Sequence, residues 1–450
     1  MRGTERLRIA VVGTGIAGMA AAWLLHQTHE VTVYEAATQP GGHSHTVEVP
    51  GATGSVPVDM GFIVYNPPAY PNLTALFRHL DVPTHGSDMS FAVSLRGGGL
   101  EYAGTDLAGL FGQRRNLLRP RFWAMLRDLA RFYRETEADA LKLDPDMTLG
   151  AYLTARSYGA EFVRDHLLPM AAAIWSAPAE RIAAYPALAF IRFCQNHGLL
   201  LLRDRPEWRS VTGGSREYVR RLTAPYAGSL RLGCPVRAIR RLPGGVALRA
   251  ADGEEVFYDH VVIATHANQA RALLADPSAG EDALLGAVGS TANEVVMHRD
   301  PALMPRRRRV WSSWNYIGAS AGDALCVTYW MNRLQRIPDA GPVFVTLNPV
   351  RQPAPATVLH RARFDHPLFN AAALHAQRDL WELQGQRRTW FCGAWLGAGF
   401  HEDGLQAGLA VAEALGGVRR PWIVAGESDR LPPGLGTGAP PSPAALERAA

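Results

Sequence analysis

Lysine is all but missing from this 450-residue chain: Lys142 is the only one, and the other basic residues among the 46 are arginine. That bias fits a GC-rich coding sequence. The net charge of +5 still favours anionic partners such as nucleotides or phospholipid surfaces. Cysteine is also scarce. Cys194, Cys234, Cys326 and Cys392 are scattered without a CxxC pair, which excludes a disulfide framework and a zinc site and reads as reduced thiols. No apolar run is long enough to span a bilayer, and no nucleic-acid-binding motif is present, so nucleic acid is not an expected partner. The N-terminal MRGTERLRIAVVGTGIAGMAAAWLL begins like a signal peptide, but three glycines at fixed spacing interrupt it and a charged strand follows. A cytoplasmic chain is the expectation. At 47% hydrophobic and 19% charged residues, a chain of this length suits two domains, or two interleaved, around large cores.

What is present begins at LRIAVV, Leu7 to Val12, a β-branched run suited to a buried parallel strand. GTGIAG follows. Gly13 serves the tight turn, Gly15 lets a pyrophosphate approach the backbone, and Gly18 lets the helix opened by Ile16 and Ala17 lie close to the strand. A second strand, VTVYEA, ends at Glu35 and Ala36. Glu35 stands 17 residues after Gly18, placed to accept from ribose hydroxyls. The whole strand–turn–helix–strand–acid unit predicts a dinucleotide on a helix N-terminus.

QPGGHSHT then places His43 and His45 after the diglycine Gly41–Gly42. If the stretch is a strand, the two imidazoles share a face. Without a third ligand nearby they make a poor metal site. The diglycine shortly after the acid resembles flavoproteins of the amine oxidase and phytoene desaturase superfamily, where it runs along the FAD diphosphate. That resemblance implies FAD, with His43 beside the diphosphate or ribityl chain. Three more stretches carry it. PVDMGFIVYN contains Gly61 and Phe62, at a turn under the flavin ring. The segment from Gly233 to Ala267 has Val236 against adenine and Ala264 closing a strand. TWFCGAWLGAGFHEDGLQAG has a strand ending at Gly393, a GFHEDG loop, and a helix from near Leu405 whose N-terminus, with Gly404, would meet the flavin pyrimidine edge. GGHSHT, VDMGFIVYN, YPNLTALF, SDMSF and GFHEDGLQAG together are most similar to predicted FAD-binding oxidoreductases found beside cyclopropane-fatty-acyl-synthase-type methyltransferases, over residues 7 to 418. The resemblance implies an α/β (α+β overall) fold: a Rossmann-like FAD-binding domain of glutathione-reductase type with an inserted, amine-oxidase-like substrate domain of helix and sheet.

Two departures matter. Ala394 stands where many relatives have an acid after the glycine, which leaves Glu402 or Asp403 as the acids to contact the ribityl or diphosphate. The lysine that many amine oxidases use to hold a water near flavin N5 has no counterpart here.

The FAD domain is expected over 1–75, 210–285 and 386–420, and the substrate domain over 76–209, largely helical, and 286–385, with a strand at ALCVTYWM, Ala324 to Met331. Pro120 to Leu143 has apolar residues at helical spacing behind a proline suited to a first turn. Residues 426–450, rich in Pro, Gly, Ser and Ala, read as a disordered tail. Arginines at 114, 115, 119, 121 and 127, and the RRRR run Arg306 to Arg309 beside Trp311 and Trp314, suit peripheral contact with an anionic inner membrane face or, equally, a solvated loop over core tryptophans. His266, His401 and Tyr65 are candidates for a catalytic base. The leading reading is a desaturase passing hydride from a methylated or unsaturated fatty acyl chain, or another apolar substrate, to flavin N5, with a lipid methyltransferase as partner. The alternatives are a flavin amine oxidase and a non-catalytic FAD-binding partner of such a methyltransferase.

Overall fold

The computed structural model describes residues 6–201, 203–251, 253–318 and 326–431. Its centre is a five-stranded parallel sheet in the order Thr389–Phe391, His260–Ile263, Arg8–Val12, Glu30–Tyr34, Leu230–Arg231. Ile9, Ala10 and Val11 are fully buried, as a continuous β-branched run covered on both faces should be. The first helix, Ile16–Leu25, is buried at every residue. It lies against the closing helix, His401–Ala414, where a Cβ on Gly408 would stand 2.1 Å from Ala17 O. Only glycine permits that approach. An antiparallel three-stranded sheet, Val236–Leu242, Gly245–Ala250 and Glu255–Tyr258, leads from one parallel strand to the next.

The second large sheet has seven strands in the order Val358–Leu368, Gly289–His298, Phe344–Leu347, Val327–Trp330, Trp314–Gly318, Phe91–Leu95, Leu100–Ala103. The last two come from residues 76–209, which are largely helical as expected but also contribute these strands. FAVSL and LEYA are short buried runs joined by a tight RGG turn, and they pair into the sheet made by the later insertion. The expected long helix runs from Pro120 to Ala140. The strand expected from Ala324 is seen as Val327–Trp330, with residues 319–325 outside the described ones.

The first residues of the expected tail, 426–431, are instead anchored. Gly426 O accepts from Gln406 Nε2 (3.2 Å), Arg430 pairs with buried Asp403 (3.2 Å), and Leu431 is buried. These polar anchors fix a stretch whose composition alone reads as disorder. Residues 432–450 lie outside the described ones. Among the described residues, no helix is long and apolar enough to cross a membrane.

Candidate active site

After Val12 the chain turns at Gly13, whose φ of +101° favours glycine and whose Cβ would lie 2.9 Å from Ala264 O. A Cβ on Gly18 would stand 2.0 Å from Gly13 O, so strand and helix pack through bare backbone. Gly15 is the opposite case: a Cβ there would meet nothing within 4 Å. Open space therefore lies at the mouth of the first helix, where the leading N–H groups at Ile16 and Ala17 lack helical partners and the dipole favours an anion. The diglycine straps across this turn. Gly41 N donates to Thr14 O (3.1 Å), and a Cβ on Gly42 would lie 3.1 Å from Gly15 Cα.

Glu35 accepts from Thr14 N (2.8 Å), from the Thr14 hydroxyl and from Ala37 N (2.8 Å), with Ala36 exposed between. Three of about four carboxylate acceptor positions are used, leaving one for a ribose hydroxyl. Cys234 N donates to Glu35 O (2.9 Å), which brings the strand beginning at Val236 beside the acid. An open helix mouth, a glycine strap and an acid with a spare acceptor suit a dinucleotide diphosphate and its adenosine.

The closing helix brings a second N-terminus to the same end. A Cβ on Gly404 would lie 2.9 Å from Ile16 Cγ2. The sequence places GFHEDG in a loop and the helix near Leu405; the helix instead begins at His401. The shift follows from Asp403, whose carboxylate accepts from Phe400 N (2.7 Å) and caps the turn. Glu402 is fully buried and accepts from Asn72 N, Leu73 N, Asn72 Nδ2 and Gln406 Nε2, at 2.8–3.1 Å, capping the helix Pro71–His79. Burial raises the pKa of Glu402 and of Asp403, and these donors and Arg430 oppose it. Both acidic side chains are spent inside the protein. What this segment offers a ligand is the helix terminus itself, with Gly404 and buried Leu405. Behind it, Trp395 folds over Gly393 and donates to Thr265 O (2.9 Å).

Beside the cradle sits a group of imidazoles. His43 and His45 precede the strand Thr46–Pro50 and are not part of it. They nonetheless meet one strand, Val358–Leu368. His43 packs 5.1 Å from Phe364 and 5.3 Å from His366, and His45 packs 5.6 Å from His360. His266 lies 5.8 Å from His43, and its backbone N donates to Gln269 Oε1 (3.3 Å) at the start of a helix. His401 stacks on Phe62, centroids 3.8 Å apart, and its Nε2 lies 2.8 Å from Tyr218 OH and 3.1 Å from Ser44 Oγ. Gly61 approaches His43 so closely that a Cβ would stand 2.1 Å from its carbonyl, and Phe62 N donates there (2.8 Å).

Burial favours the neutral form of His43, His45, His266, His366 and His401. It lowers His401 to about 3 and His366 to about 4, takes His43 well below its ordinary value with help from the neighbouring imidazoles, and lowers His266. Tyr65 is buried against Tyr70 and Phe77, its backbone paired with Arg209. Among the described residues, no three His, Cys, Asp or Glu are grouped to hold a metal ion.

Sequence reasoning missed Ser44, Tyr218, His360, Phe364, His366 and Asn293. Asn293 donates to His366 Nδ1 (2.9 Å) and accepts from Asn348 (2.7 Å). The signal for part of this group is HRARFDH, where positions 360, 364 and 366 share a strand face by simple alternation.

Residues 16–306 match the profile of the flavin containing amine oxidoreductases. A Mycobacterium tuberculosis protein assigned as a flavin-containing monoamine oxidase, AofH, is 27% identical over 353 residues, covering 76% of this chain and 70% of that one. Putrescine oxidase with putrescine bound superposes with a TM-score of 0.66 at 16% identity, over 91% of this chain and 99% of the other. Cyclohexylamine oxidase from Brevibacterium oxydans gives 0.65 at 17%, over 91% and 99%. A conjugated-linoleic-acid-producing (CLA-producing) fatty acid isomerase from P. acnes gives 0.65 at 15%, over 92% and 98%.

Proposed function

The chain belongs to the flavin-containing amine oxidoreductase family, and on that premise we propose that it withdraws hydride from an uncharged, lipid-like substrate. The substrate class is an acyl chain carrying a methyl branch or double bond, and the product is a new alkene. The chain is an FAD-dependent oxidoreductase. When bound, FAD supplies the hydride acceptor, at N5. The turn Gly13–Gly18 and the Gly41–Gly42 strap would hold its diphosphate, Glu35 and Val236 its adenosine, and the first turn of the closing helix its pyrimidine edge.

The observation that carries the substrate class is the make-up of the imidazole face. It consists of imidazoles and phenyl rings, and most carboxylates of the segments that build it are bonded within the protein. Asp59 is bonded to Thr46, Ser215 and Gln335, and Glu402 and Asp403 are bonded as above. Asp365 lies 3.9 Å from Arg363. The Asp365 charge still reaches His266 and His366, but the rest of the face is apolar ring, which offers an ammonium group little and keeps water from a C–H bond.

The residues then divide the work. The proton lost from the carbon next to the reacting C–H enters the Ser44–Tyr218–His401 network, where a neutral imidazole faces two hydroxyls. The lipid methyltransferase partner implied by the sequence resemblance would supply the methyl branch. The acyl chemistry named for the fatty acid isomerase, on the same fold, is in keeping with this reading.

A flavin amine oxidase is the second reading, favoured by the monoamine oxidase relative. Anaerobic titration separates the two. Phospholipids with methyl-branched or unsaturated acyl chains, and separately a panel of amines, are added to the purified flavoprotein while the oxidised flavin band is followed. Bleaching by the lipids is the expected result. Bleaching by amines alone overturns the acyl reading.

A further inference from the structure

We propose that the surface formed by residues 107–123 and 306–309 docks the protein on an anionic phospholipid bilayer. The two segments are distant in sequence and contiguous in space. A Cβ on Gly112 would stand 2.6 Å from Val310 Cγ1, and Gly112, Arg114, Arg307, Arg308 and Arg309 line one open depression of about 450 Å³.

Its charge is one-sided. Among the described residues, no carboxylate pairs with Arg114, Arg115, Arg306, Arg308 or Arg309. The acids of the same elements are already satisfied. Glu101 is fully buried and accepts from Arg306 N, Arg307 N and the Arg307 guanidinium, and Asp106 caps its own helix at Gly109 N.

The surface is also apolar where a soluble protein has least reason to be. Leu107 is 75% exposed and Leu118 87%, with Leu117 and Trp123 about half exposed. Trp123 donates its indole N–H to Leu117 O (3.0 Å) and packs 5.6 Å from Phe111, so these side chains form one rim beside the arginines. Exposed leucine and tryptophan gain nothing from a soluble polyanion. They gain from the acyl boundary of a membrane, where basic charge and an interfacial aromatic act together.

The structure replaces the anchors that the sequence suggests. Trp311 turns inward, packing on Trp330 and Phe344 with its N–H given to Pro305 O, and Trp314 packs on Tyr329. Docking stands apart from the substrate reading, since it needs only the charge and the exposed apolar rim.

Co-sedimentation of the full-length flavoprotein with vesicles tests it. Partition onto phosphatidylglycerol mixed in phosphatidylcholine, falling as salt rises and absent from pure phosphatidylcholine, is expected. Each basic residue near an anionic leaflet contributes about a fivefold factor. The triple variant Arg114→Ala/Arg308→Ala/Arg309→Ala should therefore lose about 100-fold in partition while keeping its flavin absorbance. Leu118→Ser/Trp123→Ser should weaken partition with every charge intact. Failure to bind phosphatidylglycerol vesicles at low salt overturns the proposal, as does a triple variant that partitions normally. Binding to heparin and to vesicles that ignores Leu118→Ser/Trp123→Ser assigns the patch to a soluble polyanion instead.

Discussion

Tyr218 OH stands 2.8 Å from His401 Nε2, and Ser44 Oγ lies within reach of both. The three groups come from the glycine strap, a helix after the first insertion and the closing helix, so the network exists only in the assembled fold. Tyr218→Phe keeps the ring against Phe62 and Phe77 and removes only the hydroxyl. The expected cost in stability is about 1 kcal/mol. If this network takes the substrate proton, flavin reduction at saturating substrate slows tenfold or more while half-saturation is little changed. Stopped-flow reduction across a substrate series checks this, and an unchanged limiting rate removes the network from the chemistry.

Acid should unfold this protein early. Burial lowers His166, His197 and His298 to about 4, and all three are almost completely buried. A histidine held neutral in the fold but titrating near 6.5 when unfolded contributes stability that is complete above pH 6.5. That stability is lost as pH falls from 6.5 toward 4, because the unfolded chain then binds the extra proton. By pH 5 each such group costs about 2 kcal/mol, and three of them approach the whole net stability of an ordinary domain. Thermal melts in buffers from pH 7.5 to 5 should show a steep, continuous fall in Tm. A flat profile over that range means these imidazoles are hydrated.

Gly15 and Gly18 should behave oppositely under the same substitution. Gly15 has φ −62°, and its Cβ would point into open space, so Gly15→Ala folds normally and fills part of the cradle. Its flavin affinity should drop tenfold or more with little change in Tm. Gly18→Ala sets a Cβ 2.0 Å from Gly13 O, forces the helix off the sheet and lowers stability whether or not flavin is present. Melting curves of apo and flavin-loaded protein distinguish the two. Equal behaviour of the variants contradicts the open cradle at Gly15.

The nucleotide half of the molecule was legible because its signals are local. LRIAVV, GTGIAG and the acid at Glu35 lie within some thirty residues, and each residue type has one geometric use. The diglycine is equally local in its effect, since Gly41 N donates to Thr14 O and Gly42 packs on Gly15. The imidazole face was not legible, since His43, His266, His366 and His401 come from four distant segments and only HRARFDH carries a readable alternation. The start of the closing helix was missed because Asp403 reaches back to Phe400 N, a cap written with an unusual first residue. The two strands of the first insertion were missed because runs this short carry little signal: Phe91–Leu95 is fixed by pairing with Trp314–Gly318, more than two hundred positions away, and Leu100–Ala103 joins the sheet through it.

Glu402 offers the cleanest separation of scaffold from chemistry. It lies in the first turn of the closing helix, at the end that packs on the first helix, and its carboxylate faces inward to hold the N-terminus of Pro71–His79. Glu402→Ala leaves the Asn72 and Leu73 N–H groups without an acceptor in a dry site and takes one bond from the Asn72 and Gln406 amides, at a cost of about 3 kcal/mol or more. Glu402→Gln keeps one acceptor oxygen and should fall between that variant and the native chain. Urea midpoints should follow that order, while the fraction that remains folded keeps its flavin spectrum and its reduction rate. If Glu402→Ala instead melts like the native protein and emerges without flavin, the carboxylate serves the cofactor, and the inward-facing assignment fails.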